Sequence, residues 1–300
     1  MRPDSPSPLI PFLVACAGIA CFSAMDVLMK GLSIGIGAYN AVLWRTAVGT
    51  LLSGALFLAA RPAMPGGAAV RIHAWRSLFV ASMAVTFFWA LARLPMAEAI
   101  ALAFVAPLMA LYMAAIFLGE RIGRRSIAAS LLGLAGVAAI VAGKLGRGGH
   151  DPEALLAVGA VFLSAIFYAY NLILARRQAK MAEPREIAFF QNLFVCLILA
   201  LGAPWLLAVP PVGAAAPILG AALLAIVSLL LLSWAYARAQ AQILATSEYT
   251  GFLWAMIFGW IFYAEPVTLP TLAGAALIVA ACLIVARQAP HGDPVEPAAA

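Results

Sequence analysis

The sequence predicts an all-α integral membrane protein, ten transmembrane helices arranged as an inverted 5+5 repeat. Three observations lead there. The 300 residues are 65% hydrophobic and only 10% charged, whereas a soluble domain is roughly half apolar and about a quarter charged. Too few charges remain to cover a water-facing surface. Ten apolar runs approach the ~20 residues that a helix needs to cross the hydrocarbon core. Finally, distinctive residues recur at a constant offset of 145 positions.

The runs are 9–30, 38–60, 74–93, 96–118, 125–143, 153–175, 186–208, 214–238, 242–263 and 268–287. Helices are the fitting structure, because lipid offers no partner to unpaired backbone groups. The alternation of a membrane β-barrel is absent. The first run follows Arg2 as in a signal peptide, but its length and the spans after it identify a retained first span. The net charge of +6 reflects orientation rather than nucleic-acid binding. With the N-terminus cytoplasmic, the inner side holds Arg2, Arg61, Arg71, Arg76, Arg121, Arg124, Arg125, Arg176, Arg177, Lys180, Arg185, Arg238 and Arg287. The outer side holds only Lys30, Arg93, Lys144 and Arg147. The excess of inner positive charge puts both termini inside. The cysteines (Cys16, Cys21, Cys196 and Cys282) all sit in apolar runs without metal-type spacing, as small buried fillers do.

The glycine-rich segment "GKLGRGGHDPE" lies near the midpoint. It divides a first five-span repeat (1–143), a linker (144–152), a second repeat (153–287) and a cytoplasmic tail (288–300). "WALAR" at 89–93 returns as "WAYAR" at 234–238. Phe22, Ala24 and Asp26 return as Phe167, Ala169 and Asn171, and Glu120 returns as Glu265. A duplication explains the common offset. Five is odd, so the second repeat enters from the opposite side, a plan that places a site near the midplane between the halves.

"VAPLMALYMAAIFLGERIGRRSIAASLLGLAGVAAIVAG" (105–143) and "YTGFLWAMIFGWIFYAEPVTLPTLAGAALIVAACLIVA" (249–286) resemble the paired signatures of the EamA-type branch of the drug/metabolite transporter superfamily. The resemblance covers nearly the whole chain apart from the two tails. It implies a bacterial inner-membrane carrier without a cofactor, and bacterial amino-acid exporters are the members it most resembles. Multidrug, nucleoside and flavin carriers of the same fold remain the alternative.

The residues suggest their own site candidates. A charge inside a span costs about 2.5–3.5 kcal/mol on insertion scales and so marks a functional position. Asp26 and Arg45 are at similar depth on neighbouring spans and could pair. Asp26 and Lys30, at i and i+4, form the rival pair. In the second half Asn171 matches Asp26, and either Gln191 or Asn192 matches Arg45. Glu248 could hold an amine or a proton, or pair with Arg238. Pro107 should kink the fourth span opposite Gly251 of the ninth, and such paired interruptions point to a transport site. Trp89, Tyr112, Tyr168, Tyr249 and Trp254 could line a cavity, although Trp and Tyr near span ends are also interfacial anchors. The expected site lies near Pro107, Tyr168 and Trp254. Glu120 and Glu265 close the fourth and ninth spans and read as caps of the helices that follow. Small residues such as Gly133, Gly136 and Gly274 suit close packing within one chain, so a monomer in the bilayer is expected, binding a small molecule.

Other classes fit less well. "GLSIG" at 31–35 matches the GxSxG pattern without its strand–turn–helix setting. His73, His150 and His291 all fall in or beside predicted loops, so an intramembrane hydrolase lacks a histidine at depth. A channel would show rings of repeated charge, and none is visible.

Overall fold

In a computed structural model, residues 9–60, 64–118, 124–145, 152–178, 181–238, 244 and 247–286 are described. They fold into helices, with no strand among them. The helices are α1 (Leu9–Ile36), α2 (Ala38–Ala59), α3 (Gly67–Leu91), α4 (Met96–Ala103), α5 (Ala106–Leu118) and α6 (Arg124–Leu145), then α7 (Pro152–Gln178), α8 (Pro184–Ala200), the single turn α9 (Ala203–Leu206), α10 (Ala215–Tyr236), α11 (Thr250–Tyr263) and α12 (Leu269–Ala286). Five helical stretches are long and apolar enough to cross a membrane: Leu9–Ile36, Ala38–Ala59, Gly67–Leu91, Pro152–Ala175 and Val212–Tyr236. Met96–Ala110, Ser130–Gly143, Thr250–Tyr263 and Leu269–Ala281 are shorter apolar stretches.

Two predicted boundaries move in ways that matter for the site. The third span was expected from residue 74, with Arg71 and Arg76 counted on the cytoplasmic side and His73 in or beside a loop. The helix instead starts at Gly67, which carries all three inside it. His73 is fully buried, so the expectation that the histidines lie in or beside loops fails at this residue. The fourth span does not kink at Pro107. It breaks at Phe104–Val105 into α4 and α5, and Pro107 sits in the first turn of α5, where a missing N–H costs nothing. The break is closed by short bonds: the Val105 N–H donates to Leu102 O (3.2 Å) and the Leu108 N–H to Val105 O (3.0 Å).

The ninth span is interrupted at the matching place. Ser247 and Glu248 are helical, Tyr249 forms a turn, and α11 starts at Thr250. Phe104 and Tyr249 are 145 residues apart, and their rings meet edge to face with centroids 5.6 Å apart. The two interruptions therefore touch each other through equivalent residues.

Helix pairing follows the same exchange. α1 packs on α10, α3 on α7, α2 on α8, α4 on α11 and α6 on α12. Counted as spans, first on eighth becomes sixth on third when the halves are exchanged, and the other three pairings map onto themselves. Lipid tails are as apolar as the side chains, so these helices are held by close packing rather than by hydrophobicity. α6 and α12 show it most directly. A Cβ built on Gly136 would lie 2.6 Å from Gly274 O, and one on Gly274 would lie 2.5 Å from Gly136 O. The core is shared by both halves, with Met29, Leu91, Met96 and Leu102 joining Val161, Val195, Ile218 and Ile278.

Gly136→Leu and Gly274→Leu should each lower the unfolding temperature in detergent, by an amount equivalent to about 2 kcal/mol or more, since a backbone carbonyl cannot move aside. Gly159→Leu, where a Cβ meets nothing within 4 Å, should leave it unchanged.

Candidate functional site

Polar groups collect at the two ends of the bundle. The first end is made by the C-terminal turns of α1 and α11 and the N-terminus of α4. The Lys30 ammonium is buried. It donates to Glu265 Oε1 (2.5 Å) and to Leu94 O (2.6 Å), and it lies 5.1 Å from the Tyr263 ring centroid. The second carboxylate oxygen of Glu265 accepts the Met96 N–H at 2.7 Å. Met96 opens α4, and the first N–H groups of a helix have no partner within it, so an acid there meets both a free donor and the positive end of the dipole. Glu265 was expected to cap the helix that follows it, and it caps α4 of the other half instead. Its position is set by Ala264, whose φ of 51° lies in the left-handed region and ends α11 through an N–H bond to Trp260 O (3.1 Å). Glu120 lies outside the described residues.

This arrangement changes the reading of Asp26. Lys30 pairs with Glu265, and no ion pair joins Asp26 to Arg45 within 4 Å among the described residues, although each stands in the other's electrostatic field. Asp26 is 2% exposed, and its Oδ1 has no hydrogen-bond partner. Between α1, α10 and α11 at this end runs a groove of about 570 Å³, lined by apolar residues including Val27, Leu28, Leu224, Phe258 and Phe262.

The second end is built on the N-terminal part of α3, the C-terminal part of α7 and the start of α8. Arg76 Nε donates to Asn171 Oδ1 (2.8 Å), and its Nη1 donates to Gln178 Oε1. Gln178 Nε2 meets His73 Nδ1 at 2.5 Å, and His73 Nε2 meets Glu186 Oε1 at 2.9 Å. The His73 ring also stacks on Phe190, with centroids 5.1 Å apart. Across this end, Tyr236 donates to Glu248 Oε1 (3.0 Å), so Glu248 is held by a phenol rather than by Arg238. Tyr168, half-buried, lies within electrostatic reach of both Arg76 and Glu248.

The sequence candidates thus separate. Asn171, Tyr168 and Glu248 come together with Arg76, and Tyr249 joins the helix break beside Phe104. Trp254 stacks on Phe258 (5.6 Å) along α11, which leads toward the apolar groove. Tyr112 and Gln191 are half-buried. Asn192 lies against Gly49, where a Cβ would come 2.6 Å from its Oδ1. Trp89 is an anchor: Arg93 lies 3.9 Å over its ring, as Arg238 lies 4.3 Å over Trp234. Each arginine also donates to the tryptophan carbonyl, at 3.1 and 3.2 Å. Arg93 and Glu153 approach to 3.8 Å at the surface. Arg76, His73, Gln178 and Glu186 were missed: His73 and Arg76 sat at the expected start of the third span, Gln178 beyond the expected end of the sixth, and Glu186 at the expected start of the seventh. The buried acid Glu98, in the first turn of α4, was missed for lying at a span edge.

These features define a multi-pass membrane transporter of small metabolites, and the chain belongs to the EamA-like transporter family. That family matches twice, over residues 9–142 and 155–287, so the repeat of the sequence is a repeat of the domain. Among its relatives is the pseudopaline exporter CntI of Pseudomonas aeruginosa, 30% identical over 277 residues that cover 92% of this chain and 95% of the relative. A riboflavin transporter of Rhizobium johnstonii is 30% identical over 284 residues, covering 91% and 89%. A crystal structure of 22% identity shares the fold at a TM-score of 0.62, over 91% of this chain and 97% of the other.

Removing one partner of a buried pair costs about 3–5 kcal/mol. Glu265→Ala should therefore lower thermal stability in detergent steeply. Glu265→Gln should lower it less, because its amide oxygen still accepts the Met96 N–H.

Proposed function

We propose that the protein is a bacterial inner-membrane exporter of amino acids or similar small zwitterionic metabolites, working by alternating access with both termini cytoplasmic. One observation carries the reading. Arg76, inside a membrane-spanning helix, is held by the neutral oxygens of Asn171 and Gln178, with no carboxylate within 4 Å among the described residues. Both amides orient the guanidinium without neutralising it, which leaves its charge for a substrate carboxylate. Glu248, tethered by Tyr236, offers a carboxylate to a substrate amine, and Tyr168 supplies an aromatic wall within reach of both. The spacing of opposite charges around an aromatic suits a zwitterion better than a multiringed cation, which would have no use for Arg76.

Ten spans in two inverted halves fit the pairing of the helices and the Phe104–Tyr249 contact. The Lys30–Glu265–Met96 tie then acts as the gate at one mouth, and the polar second end faces the other. Pro107 works through the break it allows. The exporters and transporters among the relatives support a metabolite as cargo.

Counterflow into proteoliposomes against a panel of amino acids, nucleosides, flavins and cationic drugs tests the reading. Amino acids should exchange, and a response confined to multiringed cations would overturn it. Arg76→Leu should raise the KM for the exchanged amino acid by about 10- to 100-fold, the value of one charge-assisted hydrogen bond of roughly 1.5–3 kcal/mol. It should leave the corresponding amino-acid amide unaffected. Glu248→Gln should raise the KM of both the amino acid and its amide, since both carry the amine. Reporters fused after Arg287 and within 144–153 should read inside and outside respectively.

A further inference from the structure

Arg76, Gln178, His73 and Glu186 form a single file of hydrogen bonds that crosses three helices, and the chemistry of the groups fixes the direction of each bond. Arginine only donates, so Gln178 must turn Oε1 toward Arg76 and its NH2 toward His73. An NH2 needs an acceptor, so His73 Nδ1 must be bare. The ring proton then sits on Nε2 and is donated to Glu186 Oε1. The arrangement is consistent only with a neutral His73 of one tautomer. A second proton, on Nδ1, would set two donors face to face at 2.5 Å. The amide relieves this by turning half a revolution, which places its NH2 against the Arg76 guanidinium. Arg76 then loses one of its two orienting acceptors and keeps Asn171 alone.

We propose that Gln178 and His73 are positioning residues for Arg76, and that the Gln178 amide transmits the protonation state of His73 to the guanidinium. The groups that face His73 among the described residues are these. α7 presents Gln178, α8 presents Glu186 and the Phe190 ring, and α3 itself contributes Arg76 through the amide. Behind Phe190, α2 contributes Phe57, edge-on to that ring at 5.8 Å. Phe190 seals one face of the imidazole, and the ring has no exposed surface. The sequence leaves no sign of the relay beyond "RIHAWR". The relay itself depends on no assignment of cargo, and its effect on transport rests on the reading of Arg76 as the substrate-carboxylate group.

The test uses the full chain in lipid nanodiscs, labelled with 15N in histidine and arginine. There are three histidines, so His73→Gln assigns the His73 signals, and Arg76→Lys assigns those of Arg76. At about pH 8 His73 should show a protonated Nε2 and a bare Nδ1. As the pH is lowered from about 8 to about 5, the range used to probe histidine, the Arg76 Nε resonance should move together with the His73 ring signals. In Gln178→Leu the two should part. A protonated Nδ1 with a bare Nε2 at pH 8, no titration of His73 in this range, or an Arg76 signal indifferent to it would each overturn the proposal. If Gln178→Leu fails to fold, the co-titration in the unaltered protein decides. Acetate serves as a carboxylate probe of the second reading: it should shift Arg76 Nε at pH 8 and less so at pH 5. Co-titration without an acetate shift would leave the relay standing and overturn the carboxylate role of Arg76.

Discussion

The tie between Lys30 and Glu265 organises this bundle. A buried ammonium has three donors to satisfy and, within a hydrocarbon core, no water to satisfy them. Lys30 meets that constraint with a carboxylate from the segment just after α11, a carbonyl from the turn before α4 and an aromatic face. The same carboxylate completes the first turn of α4. Three chain segments distant in sequence therefore end at one point, and none can leave without exposing an unpaired charge or an unpaired N–H. The left-handed Ala264 is the backbone cost of aiming Glu265 there.

The opposite end answers the same constraint differently. Arg76 is held by amide dipoles instead of by a counter-charge, while Glu186 is bonded to His73 and Glu248 to Tyr236. One end is electrically closed on itself, and the other holds its charges apart. A cavity between them would present opposite charges with an aromatic wall, which is a pattern for recognition rather than for stability. The two arginines beside Trp89 and Trp234 take no part in it. Each lies over its own tryptophan and bonds to the carbonyl four residues back, and Arg93 adds only a surface approach to Glu153.

Much of this architecture was legible because periodic features survive in a sequence. Apolar runs of span length and a constant offset can be read without coordinates, and Asp26, Arg45 and Glu248 advertise themselves as charges in apolar surroundings. Partners cannot be read in the same way. Nothing local to Glu265 says that its acceptor role lies 169 residues back, at Met96. His73 and Arg76 were hidden by a boundary, since polar residues at a span edge look like loop until the helix is seen to begin seven residues earlier. Pro107 was noticed for the right reason and misread in detail: it starts a helix after a break rather than bending one. Gln178 carries no charge and sits among arginines and lysines, so only its contacts reveal it.

The contact between α6 and α12 has a mechanical consequence. Where Gly136 and Gly274 cross, each glycine leaves room for the other's carbonyl and for nothing larger. Sliding one helix along the other would drive Ile140 or Ile278 into that gap. Turning the helices about the crossing point keeps the same atoms opposed. The last helix of each half is then an axle, fixed in position at the crossing and free only in angle.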